Sequence, residues 1–192
     1  MTFQTKLNHI VAKNNSLVCV GFDQADYCKN VHIIDQTHDL ICAYKLNSAF
    51  YEAAGARGIK QLKLICDYLK KTYPHIPIIL DAKRADIGST NEAYIGYAFD
   101  YVGADAITLQ PYLGQEALRP FLDLKDKGFF ILCRTSNPGA GEFQDLKVTG
   151  KPLWQIVADN VTSNWNAHNN CMLVVGATYP QELKQVRQIV GD

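Results

Sequence analysis

Asp81 and Lys83, an acid and an amine two residues apart, follow the apolar run Ile76-Pro77-Ile78-Ile79-Leu80 and open the charged stretch Asp81-Ala82-Lys83-Arg84-Ala85-Asp86. Side chains alternate across an extended strand, so Asp81 and Lys83 face one side while Ala82 and Arg84 face the other. A carboxylate and an ammonium in one pocket can set charge against a substrate's own charge and can pass a proton. Asp86 lies beyond the strand, and Gly88-Ser89-Thr90 reads as a loop with capping residues that opens a helix through Asn91-Glu92-Ala93-Tyr94. Taken alone, a charged strand end is more often a solvated turn than a site.

The elements that must position these residues change that balance. Short apolar runs recur at Leu17 to Gly21, Ile41 to Lys45, Ile76 to Asp81, Ala106 to Leu109, Phe129 to Cys133 and Cys171 to Gly176. Between them lie amphipathic stretches, such as Ile59 to Thr72, Pro152 to Asn166 and Pro180 to Val190. Nearly continuous apolar strands separated by helices predict a parallel sheet covered by helices, an α/β fold. Asp23, Lys45, Asp81 with Lys83, Gln110 and Ser136 each fall at the end of a predicted strand. That is the carboxyl edge, where α/β barrels and doubly wound sheets build their sites.

Composition narrows the classes of function. A chain of 192 residues with 47% hydrophobic content predicts one domain spanning 1–192. Acidic and basic residues balance at 19 each, with no basic stripe, which argues against a nucleic-acid partner. The N-terminus has apolar residues at helical spacing (Phe3, Leu7, Ile10, Val11) and no continuous apolar core of a secretion signal. No apolar run is long enough to span a bilayer, so the expectation is a cytoplasmic protein without a membrane partner. Six scattered cysteines without a Cys-x-x-Cys pair read as small hydrophobes, and five histidines show no ligand spacing, so no metal site is expected.

With these residues in place, the chain resembles the orotidine 5′-monophosphate decarboxylase family, in the bacterial subclass whose third strand ends in Asp-Ala-Lys-Arg-x-Asp-Ile-Gly-x-Thr. The resemblance extends to Gly21-Phe22-Asp23, Tyr44-Lys45-Leu46-Asn47, Pro111-Tyr112-Leu113-Gly114 and Arg134-Thr135-Ser136-Asn137-Pro138-Gly139-Ala140, in the family's order. It implies a (β/α)8 TIM barrel, cofactor-free decarboxylation of orotidine 5′-monophosphate to uridine 5′-monophosphate in pyrimidine biosynthesis, and a homodimer. Carried over by position, Lys45, Asp81, Lys83 and Asp86 are similar to the family's Lys-Asp-Lys-Asp array, with Lys83 delivering the proton to C6. Asp86 and Thr90 are implied to reach the neighbouring subunit's site, Asp23 to hold ribose hydroxyls with Lys45, and Ser136 to read the pyrimidine edge.

Elementary energetics agrees with these implied roles. Carbon dioxide leaving C6 leaves a carbanion-like centre, and a fixed ammonium stabilises charge that develops there only in the transition state. Asp81 near a substrate carboxylate adds repulsion of roughly 4 kcal/mol at about 4 Å and an effective dielectric near 20. Enzymes can need up to ~23 kcal/mol of barrier reduction, so the ammonium and preorganised dipoles must supply most of it.

One departure stands out. A β/α barrel has eight strands in typically ~250 residues, whereas six are legible here. Strands seven and eight, whose loops commonly bind phosphate, and the family's Gly-rich phosphate loop and phosphate-binding arginine are not recognisable. Two other readings therefore stay open: a related phosphosugar decarboxylase or epimerase barrel, and an inactive ligand-binding remnant.

Overall fold

The computed structural model describes residues 1–191. Six parallel strands form one sheet: β1 (Cys19–Phe22), β2 (Ala43–Asn47), β3 (Ile78–Arg84), β4 (Ala106–Leu109), β5 (Gly128–Arg134) and, after a short hairpin, β8 (Cys171–Val175). The hairpin strands are β6 (Lys147–Val148) and β7 (Lys151–Pro152). Neighbours in the large sheet follow chain order, β1-β2-β3-β4-β5-β8, with helices in the connections. The sheet is six strands of a curled α/β barrel, as the apolar runs predict.

Why the inner strands sit in the middle is visible in their residues. Ile78, Ile79 and Leu80 of β3 and every residue of β4 are buried, so both faces of these strands are covered. The helix Gly55–Thr72 joins the same core through Leu62, Ile65, Cys66 and Leu69, which recur at helical spacing and are fully buried. Burial pushes the Cys66 thiol up to about 12, the behaviour of a packed hydrophobe rather than a nucleophile. Cys42, Cys133 and Cys171 are buried as well, in line with the reading of the cysteines as small hydrophobes, while Cys19 and Cys28 are exposed.

The amino edge of the sheet is closed by the helix Phe3–Asn14, capped by the Thr2 hydroxyl accepting from the Thr5 N–H. Phe3 lies against Gly128 so tightly that a Cβ there would meet its ring at 2.4 Å. Lys6 pairs with Asp105 at 2.7 Å, and the same carboxylate oxygen accepts from the Ile78 N–H. These contacts fix where β3, β4 and β5 start, and hence where their charged ends emerge.

The edge strands β1 and β8 each pair on one side only. Beside β8 a cleft of about 680 Å3 is lined by Leu7, Val11, Leu17, Met172, Leu173 and Val186, among others. Two helices end in π-helical turns, Gly96–Val102 after Ser89–Ile95 and Val161–Trp165 after Leu153–Asn160. The hairpin turns on Thr149 and Gly150, both with positive φ (52° and 85°), the geometry that matches strand twist in a two-residue turn. No helix among the described residues is long and apolar enough to cross a membrane.

Candidate active site

Three of the charged residues converge at the carboxyl ends of β2 and β3. Lys45 Nζ lies 2.9 Å from Asp81 Oδ2, and Lys83 Nζ lies 2.7 Å from Asp81 Oδ1. The facing predicted for Asp81 and Lys83 is therefore observed. Asp81 is 8% exposed, whereas the Lys45 and Lys83 side chains are 35% and 50% exposed. A buried carboxylate is thus bracketed by two ammonium groups that still reach solvent and retain N–H donors for a ligand. Burial alone would raise the Asp81 carboxyl, but hydrogen bonds from Lys83 and Lys45, the Lys45 charge and the Thr108 hydroxyl outweigh it and hold the group below its ordinary range.

The backbone at this point is irregular. Leu80 pairs with Ile107 and Arg84 with Leu109, so Thr108 of β4 is alone opposite Asp81, Ala82 and Lys83. Lys83 has φ +48° and Ala85 φ +147°. A left-handed non-glycine residue costs roughly 1–2 kcal/mol, and here that strain falls on the residue carrying the ammonium. Thr108 bridges the bulge: its Oγ1 accepts from the Ala82 and Lys83 N–H groups and donates to Asp81 Oδ1, each at 2.9 Å.

The remaining expected site residues do not join this cluster within the chain. The Asp86 carboxylate accepts from the Ile87 N–H, and the Asp86 backbone is gripped by Asn91, which accepts from its N–H and donates to its carbonyl. Asn91 is fully buried and also donates to the Ala117 carbonyl, tying the loop to the next βα unit. The helix begins at Ser89, one residue after Gly88 (φ +53°), with no side-chain cap. This corrects the expectation that Ser89 and Thr90 cap it; the Asn91 bridge organises the loop instead. Thr90 is exposed in the helix's first turn, and Asp23 and Ser136 are exposed beyond β1 and β5. Gln110 braces two loops, donating to the Ala85 carbonyl and accepting from the Tyr112 N–H.

Thr108, Asn91 and Arg134 organise the site and are the residues that sequence reasoning passes over. The available signal was a polar or charged side chain inside an apolar strand: Thr108 is buried within Ala-Ile-Thr-Leu, and Arg134 is 3% exposed at the end of β5. No group of three His, Cys, Asp or Glu side chains among the described residues is placed to hold a metal ion. Chemically, a net-positive cluster with one buried carboxylate can hold an anionic ligand, oppose a second negative charge at one point, and donate a proton from Lys83.

The family model for orotidine 5′-phosphate decarboxylase / HUMPS proteins matches residues 16–191. A protein of Cellvibrio japonicus named orotidine 5′-phosphate decarboxylase is 46% identical over 208 aligned positions, covering all of this chain and 76% of the relative. One of the same name from Janthinobacterium is 45% identical, again over all of this chain and 75% of the relative. The chain thus spans about three quarters of the length of these relatives. Among solved structures, Leishmania donovani OMP decarboxylase superposes with a TM-score of 0.93 at 38% identity, covering 100% of this chain and 77% of that one.

Proposed function

This chain belongs to the orotidine 5′-phosphate decarboxylase / HUMPS family, and we propose that it converts orotidine 5′-monophosphate to uridine 5′-monophosphate and carbon dioxide without a cofactor. The observation that carries this reading is the ion-paired Lys45–Asp81–Lys83 array at the carboxyl edge of the sheet. Around it the chain acts as one barrel-type domain over 1–192 and works in the cytoplasm.

In this reading the C6–carboxylate bond breaks, its electron pair stays on C6 and carbon dioxide departs. Lys83, released from Asp81 Oδ1 as substrate enters, faces C6 and stabilises the developing charge in the transition state. Its ammonium then gives a proton to C6, and solvent returns one to the amine. Asp81 stays ionised because two cations and a hydroxyl hold it so, and it opposes the substrate carboxylate while C6 bears no charge. Lys45 keeps Asp81 fixed and, with Asp23, binds the ribose hydroxyls. Ser136 reads the pyrimidine edge.

Asp86 and Thr90 are assigned to the neighbouring site of a homodimer. Exposure supports this: Ile87 in the same loop, and Tyr112 and Leu113 in the segment after β4, are large apolar side chains left open to solvent. The test of the activity is the change in ultraviolet absorbance when the protein is mixed with orotidine 5′-monophosphate, with and without a chelator. A change that survives chelation is expected. A change abolished by chelator would favour a metal-dependent barrel enzyme, and no change would favour a ligand-binding remnant.

A further inference from the structure

We propose that Thr108 is a positioning residue for the decarboxylation, its hydroxyl holding the β3 bulge so that the Lys83 ammonium is aimed beside Asp81. The inference rests on the function proposed above. A hydroxyl offers one donor and two acceptor positions, and Thr108 uses all three on the reacting segment: the Ala82 N–H, the Lys83 N–H and Asp81 Oδ1, each at 2.9 Å. In an unbroken parallel ladder successive N–H groups point to opposite neighbours, so those of Ala82 and Lys83 would donate to main-chain carbonyls of two different strands. Because three β3 residues stand opposite one β4 residue, the ladder skips here and a side-chain oxygen takes its place.

The bond to Lys83 falls on the residue whose φ is +48°, a conformation that lysine does not adopt without support from its surroundings. Thr108 itself is 4% exposed, in a strand whose residues are all buried, so its own position is set by packing and does not depend on a ligand. The hydroxyl therefore transmits the rigidity of β4 to the one lysine that must move a proton. It also keeps Asp81 oriented and ionised while Lys83 is drawn toward a substrate. Thr108 touches no reacting atom; it acts through Lys83 and Asp81.

Thr108→Val and Thr108→Ser separate this role from packing. Valine keeps the shape and loses the hydroxyl, whereas serine keeps the hydroxyl and loses the methyl. Positioning predicts that T108V lowers kcat at least about tenfold with KM changed less than about threefold, while T108S stays within about threefold of the parent in both. T108V should also raise the pH of the acid limb of kcat/KM, raise the Asp81 carboxyl titration followed by carbon-13 NMR, and lose amide exchange protection at Ala82 and Lys83. The NMR readings need no turnover. A packing role predicts the reverse ranking, and T108S worse than T108V overturns the proposal. If T108V does not fold, a tenfold loss in folded T108S overturns it and a near-normal T108S upholds it. Parent protein that turns over, with T108V equal to it, removes Thr108 alone. Parent protein without turnover, with the NMR changes in T108V as predicted, removes the proposed function and leaves the hold of Thr108 on Lys83 standing.

Discussion

The Arg134 guanidinium lies over the ring of Tyr179, its central carbon 3.9 Å from the ring centre. The arginine ends β5 and the tyrosine immediately precedes the helix Pro180–Val190, so the contact joins two consecutive strand-end loops. Arg134 also donates to Asp145, to Gln144 and to the Thr135 carbonyl, while its own carbonyl accepts from the Gly176 N–H at 2.8 Å. Gly176 approaches so closely that a Cβ there would come within 2.8 Å of the Ser136 Cβ. Ser136, although exposed, therefore stands on a fixed base.

A serine placed in this way should act on turnover more than on product binding. Ser136→Ala is expected to lower kcat/KM by more than it lowers affinity for uridine 5′-monophosphate, since a hydrogen bond to the pyrimidine edge tightens as charge spreads into the ring. Steady-state kinetics beside calorimetric titration of the product checks this. Equal losses would assign Ser136 to ground-state binding.

Lys83→Ala should abolish detectable decarboxylation with the circular dichroism spectrum unchanged, because the side chain is half exposed and supports no core packing. Residual turnover above about a tenth, a loss under ~1.4 kcal/mol, would remove Lys83 from the role of charge stabiliser and proton donor.

The shared-site assignment of Asp86 predicts complementation. Asp86→Asn chains and Lys83→Ala chains, each inactive alone, should regain activity when mixed, because one of the two hybrid sites then receives both native residues. Hybrid dimers demonstrated by mass spectrometry that stay inactive would place Asp86 outside the neighbouring site.

The ionisation of Asp81 has a signature in stability. Its folded carboxyl is held below the ordinary 3.8, so its stabilising contribution is present above about pH 4 and is lost as pH falls through the folded value. Asp81→Asn should therefore be less stable than the parent by about 1 kcal/mol at pH 7, a modest figure because both lysines reach solvent and are screened. Urea unfolding at neutral and acid pH should show that gap closing as the pH drops. A gap that is constant with pH would mean that the ion pairs do not set the difference.

Much of this arrangement is legible in the sequence because it depends on local pattern. β4 occupies Ala106–Leu109 and the last helix Pro180–Val190, as the apolar runs and the proline start predict. β1 begins later than expected, at Cys19, because Leu17 and Val18 lie exposed ahead of an edge strand with only one neighbour. β2 runs two residues further than expected, to Asn47, since pairing with β1 and β3 carries it past Lys45. The facing of Asp81 and Lys83 was predictable even though the bulge was not, because two extra residues, an even number, preserve the alternation. Thr108, Asn91 and the Arg134–Tyr179 contact act across 5 to 45 residues of chain, and a reading by neighbours along the sequence does not reach most of such partners.

The same arithmetic makes the segment 81–83 sensitive to its length in a way that residue types do not reveal. A substitution there changes one side chain, but loss of a single codon, such as that for Ala82, turns over everything after it. Lys83 would then face the helices, where Arg84 now meets Glu52 and Tyr94, and Arg84 would arrive beside Asp81. The pocket would remain positively charged and every residue type of the array would still be present. A guanidinium, however, does not surrender its proton near neutrality, so such a lineage would keep a binding site for anions and lose the proton step.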